Sequence, residues 1–103
     1  MNDYSVFCVS DHTGVTVEAV AKSVLAQFPR LEFSLITLPF VDSAGKAQAA
    51  AARIAAAPRA LVFSTLTDPA LRGVLRSAGA GLFDVFELLA PAVEAALGDR
   101  KST

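Results

Sequence analysis

Short apolar runs alternate four times with segments whose apolar residues recur every three or four positions, so the chain reads as four strand–helix units. The first run, Ser5 to Val9, is apolar on both faces through Val6, Phe7, Cys8 and Val9, which predicts a buried central strand of a parallel sheet. Val17, Val20, Ala21, Val24, Leu25 and Phe28 then make the stripe of a one-faced helix that Pro29 stops. Glu18 and Lys22 lie one turn apart on its outer side, in the order that favours an ion pair. The second strand, Glu32 to Leu38, mixes Phe33, Leu35 and Ile36 with Glu32, Ser34 and Thr37, the pattern of an edge position. Asp42 or Ser43 should cap a helix to about Ala57, whose face of Ala47, Ala50, Ala51, Ile54 and Ala55 is shallow enough to lie close on the sheet.

The third strand, Ala60 to Ser64, is again apolar on both sides. Asp68-Pro69 supplies a cap and a first-turn proline for a helix with Leu71, Val74, Leu75 and Ala78 inward, closed by Gly79. The last unit is expected as a strand from Leu82 to Phe86 and a helix near Pro91 to Leu97 with Gly98 as its stop. Strands and helices alternating through short connections predict an α/β fold: a three-layer, four-stranded parallel sheet with helices on both faces, of the Rossmann or flavodoxin kind. The expected strand order is 2-1-3-4, with a switch point at the carboxyl ends of strands one and three, where such sheets bind ligands. Residues 1–98 are expected to form one α/β domain, with 99–103 a polar tail or linker.

Composition narrows the function classes. A hydrophobic fraction of 53% with 18% charged residues describes an ordered, well-buried domain. A net charge of −1 and the absence of basic runs argue against nucleic acid or an anionic membrane as partner. Cys8 is the sole cysteine, so no internal disulfide can form. The amino terminus has no basic region followed by an apolar stretch, and no apolar run reaches spanning length, so a cytoplasmic location is expected.

Candidate chemistry concentrates in Ser10-Asp-His-Thr-Gly-Val-Thr16, between the first strand and first helix. A glycine-containing polar turn there aims free backbone amides and the positive helix end at one spot, a cradle for phosphate or carboxylate. Gly14 could adopt positive φ or let a ligand approach the backbone, Thr13 and Thr16 could donate hydroxyls, and Asp11 could bind a metal, orient a hydroxyl or act as a base. The plainer alternative is that Asp11, Thr13 or Thr16 caps the helix while Gly14 serves the turn. His12, the only histidine, is a further ligand-binding candidate that could serve as a general base, but no second base, nucleophile or metal ligand is fixed beside it by spacing, and a plain loop histidine is the favoured reading. Ser64-Thr-Leu-Thr-Asp68 faces the same end of the sheet, with Thr65, Thr67 and Asp68 as secondary candidates.

Other motifs fail on their own terms. Gly45-Lys46 imitates the end of a P-loop, but the pattern needs glycine at position 40 and Ser or Thr at position 47, where Phe40 and Ala47 stand. A phosphatase-type loop at Cys8 would need arginine at position 14, which is Gly14, and a phosphoacceptor site at Asp11 would need an acidic cluster and a partnering lysine that do not occur. No catalytic or metal-binding residue is assigned, and no cofactor is expected within this chain.

Taken together, Val9-Ser-Asp-His-Thr-Gly-Val-Thr-Val-Glu18, Leu25-Ala-Gln-Phe-Pro29 and Ile36-Thr-Leu-Pro-Phe-Val41 resemble the bacterial regulatory proteins of phosphoenolpyruvate synthase and pyruvate, phosphate dikinase, the kinase–pyrophosphorylase family. Arg59-Ala-Leu-Val-Phe-Ser64 is compatible with it, so the resemblance covers almost the whole chain. It implies a bifunctional regulator that uses ADP to phosphorylate a threonine of its target enzyme and inorganic phosphate to remove that group as pyrophosphate. It also implies a nucleotide P-loop in a C-terminal half that this chain does not contain. The chain thus looks like the N-terminal domain alone, with the synthase or dikinase and the missing P-loop domain as partners. Carried over residue by residue, the motif points to Ser10, Asp11, Thr13, Gly14, Thr16 and Glu18, while His12 stands where the family often has a small residue.

Three roles compete for the domain. It could bind the partner or complete the active site of the missing half without transferring phosphate itself. It could be a stand-alone phosphate- or nucleotide-binding module. It could be a homodimerisation domain using an apolar rim around Leu38, Phe40 and Leu89.

Overall fold

In the computed structural model, which describes residues 3–98, the elements follow the expected order: β1 (Tyr4–Val9), α1 (Val15–Leu25), β2 (Phe33–Leu38), α2 (Ala44–Ala56), β3 (Ala60–Ser64), α3 (Pro69–Arg76), β4 (Gly81–Asp84) and α4 (Val85–Leu97). All strand pairs are parallel and the sheet order is β2-β1-β3-β4, as the sequence predicts. The tail expected at 99–103 lies outside the described residues.

Alternation along the inner strands separates two cores. Phe7, Val9 and Val62 point to one side and pack with Ala47, Ala50 and Ile54 of α2 and Leu71 and Leu75 of α3. Val6, Cys8 and Phe63 point to the other and meet Val17, Ala21 and Leu25 of α1. The small side chains of α2 let its backbone approach the sheet, although Ala55 falls on the exposed side. Ser43 is the cap, its Oγ accepting from the Lys46 amide at 3.3 Å. Asp68 caps α3 in the same way, accepting from the Ala70 amide at 2.9 Å.

Three expectations need correction. β4 ends at Asp84 and α4 starts at Val85, whereas a strand to Phe86 and a helix from Pro91 were expected. Asp84 accounts for the shift: its Oδ1 accepts from the Glu87 amide at 2.9 Å, which starts the helix, so Pro91 falls inside it. In addition, α1 ends at Leu25, four residues before Pro29. Val24 and Phe28, expected in its buried stripe, are 43% and 58% exposed. The proposed rim also breaks apart: Leu38 packs in the α2–α3 core, while Leu89 lies on the opposite side of the sheet beside α1 residues.

Candidate functional site

The loop after β1 is built by backbone bonds to the segment after β2. The Ser10 amide donates to the Leu38 carbonyl at 3.1 Å and the Val41 amide to the Ser10 carbonyl at 2.9 Å. The Phe40 amide donates to the His12 carbonyl at 2.8 Å, and Phe40 takes a left-handed φ of 59° there. Ser10 is buried, with its Oγ accepting from the His12 amide at 3.0 Å. Such a loop is pinned along its length.

Its chemistry-bearing side chains divide into two groups. Asp11 reaches across the switch point, where its Oδ2 accepts from the Thr67 hydroxyl at 3.1 Å. The expected crevice between the first and third loops is therefore bridged by the protein's own side chains. Glu18 is also engaged: its carboxylate accepts a hydrogen bond from Thr37 Oγ1 of β2 and lies 3.9 Å from Lys22 Nζ. His12, Thr13 and Thr16 are exposed, and the imidazole Nε2 stands 3.8 Å from Asp11 Oδ1. Of the secondary candidates, Thr65 is buried, Thr67 serves the bridge and Asp68 caps α3.

Gly14 sets the geometry of the turn. It takes φ +92° as the residue preceding α1, and no side chain caps the helix. The expectation that Asp11, Thr13 or Thr16 would cap it fails, because each side chain is directed elsewhere or outward. The first-turn amides thus have no side-chain acceptor. Sequence reasoning missed Thr37, which holds Glu18 and abuts Gly14; its signal was a threonine facing the helix side from an otherwise apolar strand stretch.

Lys46 of the failed P-loop imitation pairs with Asp42 at 3.0 Å on the surface, an ordinary one-turn ion pair. No group of three or more His, Cys, Asp or Glu able to hold a metal occurs among the described residues. No helix among them is long and apolar enough to cross a membrane.

Cys8 lies fully buried beneath this corner, level with Thr37 in the sheet. Burial, then the nearby Glu18 charge, push its thiol up to about 11, while Lys22 pulls the other way. A thiol raised from 9.0 to about 11 carries about 100-fold less thiolate at pH 8. Folded protein should accordingly react with a disulfide reagent at least that much more slowly than urea-unfolded protein; equal rates would contradict the buried placement. Because the folded value is the higher one, its contribution to stability is complete below pH 9.0 and is lost as pH rises towards about 11.

Comparison with known proteins adds an independent finding. Residues 6–103 match the kinase/pyrophosphorylase family. A protein from Thiobacillus denitrificans is 71% identical over 99 residues, covering 96% of this chain and 38% of its own length. Proteins from Legionella pneumophila and Hahella chejuensis are 35% and 37% identical, over 94% and 93% of this chain. All three are named as candidate phosphoenolpyruvate synthase regulatory proteins. The chain spans about 38% of the length of these relatives.

Proposed function

The chain belongs to the kinase/pyrophosphorylase family, and from that premise we propose that it forms the α/β unit of a regulator of phosphoenolpyruvate synthase, acting by docking that enzyme or by completing an active site built elsewhere in the regulator. The full regulator would phosphorylate the synthase from ADP and reverse this with inorganic phosphate, as the family resemblance implies. The relatives' names favour the synthase over the dikinase as target.

One observation carries this reading: the loop Ser10–Gly14 is pinned on both sides and turns His12, Thr13 and Thr16 outward. A loop tied across the switch point by Asp11 and Thr67 is pre-organised to press polar side chains against another surface. Preorganisation matters because an interface that need not order a loop retains more of its contact energy. The P-loop imitation lacks the pattern's glycine and hydroxyl at Phe40 and Ala47, and its lysine lies in a surface ion pair with Asp42.

The test is an ADP-dependent phosphorylation assay on phosphoenolpyruvate synthase. This chain alone should yield no phosphoenzyme. A chimera carrying it in place of the matched region of the Thiobacillus denitrificans relative should yield phosphoenzyme, and Asp11→Ala in that chimera, which removes the acceptor for the Thr67 hydroxyl, should reduce the rate about tenfold by freeing the loop. Turnover by the chain alone would refute the proposal.

The uncapped first turn of α1 favours a second reading, a phosphate- or nucleotide-binding module. Titration with phosphate, pyrophosphate and ADP, followed by the Gly14 amide resonance, separates the two. Saturable shifts would support the module, and a flat response would remove it.

A further inference from the structure

The face of the sheet that carries α1 is only half covered. α1 packs over β1 and part of β3, while the strip towards β4 is left as a groove of about 1020 Å³ between α1 and α4. Leu61, Phe63 and Phe83 form its floor, with Phe63 and Phe83 rings 5.5 Å apart. Val24 and Phe28 form one wall, and Leu88 and Leu89 of α4 the other. Parallel sheets are otherwise buried on both faces, so a gap between α1 and α4 that leaves Phe83 40% exposed beside the buried Phe63 signals an incomplete layer.

The pattern of α4 says the same. Val85 is its only buried residue, yet its charged residues are just Glu87 and Glu94. At 100° per residue, Leu88, Leu89, Val93, Phe86 and Leu97 spread over about half the helix circumference, with both glutamates opposite. Leu88, Leu89 and Leu97 are 63%, 56% and 73% exposed. Leu88 and Leu89 face the groove, while Phe86, Val93 and Leu97 do not line it. Helix-to-helix packing with a second copy would cover one ridge and leave the groove empty. A small ligand is less well matched, since the volume slightly exceeds the roughly 300–1,000 Å³ of ligand clefts and Tyr4, Gln27 and Arg30 are the few polar side chains in an otherwise apolar lining.

We propose that this groove and the outer ridge of α4 are covered by the part of the regulator's own chain that lies beyond the matched region, through an apolar surface that fills the missing layer. The proposal rests on the reading of this unit as part of a larger regulator. Well over half of each relative's length lies outside the match, so enough chain exists there to supply a layer. The loop after β1 lies outside the groove, because none of Ser10 to Thr16 lines it. One unit can therefore be held by its own chain at the groove and still present the loop outward.

The experiment measures maleimide labelling, read by peptide mass spectrometry, of Leu89→Cys and Val24→Cys, with Arg53→Cys on α2 as an exposed control. In this chain alone both groove cysteines should label as fast as the control. In the chimera with the Thiobacillus denitrificans relative they should slow at least tenfold while the control is unchanged. Slow labelling in the isolated chain that depends on its concentration would overturn the proposal in favour of a second copy. Equal rates in chain and chimera would overturn it outright. Should the chimera fail to fold, hydrogen exchange compares α4 here with the matching stretch of the unaltered relative, where protection must rise at least tenfold. Neither readout needs phosphoryl transfer, so coverage is judged separately from the regulatory activity.

Discussion

Asp84→Ala is expected to destabilise the domain by about 4 kcal/mol, a large share of the roughly 5–15 kcal/mol that holds such domains folded. Asp84 is buried at the carboxyl end of β4, and its two oxygens have different duties. Oδ1 caps α4 through the Glu87 amide, and losing a cap costs about 1 kcal/mol. Oδ2 lies 3.3 Å from Arg72 Nε, a nitrogen with no hydrogen-bond partner of its own. Breaking one side of a buried ion pair costs about 3–5 kcal/mol, and Arg72 would be left largely shielded, its side chain 18% exposed and its Nη1 donating to the Leu66 carbonyl at 3.3 Å. Glu87 softens the loss, since its carboxylate lies 4.0 Å from the same nitrogen, but it is half exposed and also engages Arg76 at 2.9 Å. Urea unfolding should show a lower midpoint at unchanged slope. Asp84→Asn keeps an acceptor for the cap and should cost less. Combining Asp84→Ala with Arg72→Met should recover part of the loss, because the uncompensated charge is then gone. A loss below 1 kcal/mol for Asp84→Ala would show that the pair is solvated and the argument wrong.

That residue also marks where sequence reading was weakest. Leu82-Phe-Asp-Val-Phe86 alternates as a strand does, and Pro91 sits where a helix often begins, so local pattern placed the boundary too late. What decides it is the Asp84 side chain closing on the Glu87 amide, a contact three residues long inside an apolar stretch. Strand order, by contrast, was legible, because β1 and β3 are apolar on both faces and β2 is mixed, which places the first two inside and the third at an edge. The loop after β1 was legible as a polar turn with a glycine at positive φ. Its closure was not. Asp11 and Thr67 are 56 positions apart, and nothing in either neighbourhood announces the other. Val24 and Phe28 were read as core because an apolar stripe reports that burial is needed without saying by what.

The corner where Gly14 meets Thr37 supports the second large effect: Gly14→Ala should cost about 3 kcal/mol. Part of this is conformational, since an L-residue held at φ +92° loses about 1 kcal/mol or more relative to glycine. The rest is steric. A Cβ at position 14 would lie 2.7 Å from Thr37 Cγ2, closer than real contacts allow, and overpacking of this kind costs about 1–3 kcal/mol. Thr37 cannot swing away freely, because its hydroxyl is bonded to Glu18 and its backbone is paired with Cys8 in the sheet. Thr37→Ser removes the offending methyl while keeping the hydroxyl, so it separates the two shares. In the Gly14→Ala, Thr37→Ser double variant the steric share should be recovered and about 1 kcal/mol should remain. Strict additivity of the two substitutions in urea unfolding would mean that the methyl is not the obstacle and that the backbone alone resists. The same displacement would tilt the start of α1 and the adjoining loop. If the proposed docking role holds, synthase phosphorylation by the chimera should fall in Gly14→Ala and return in the double variant, tying the outward set of Thr13 and Thr16 to one methyl group beneath them.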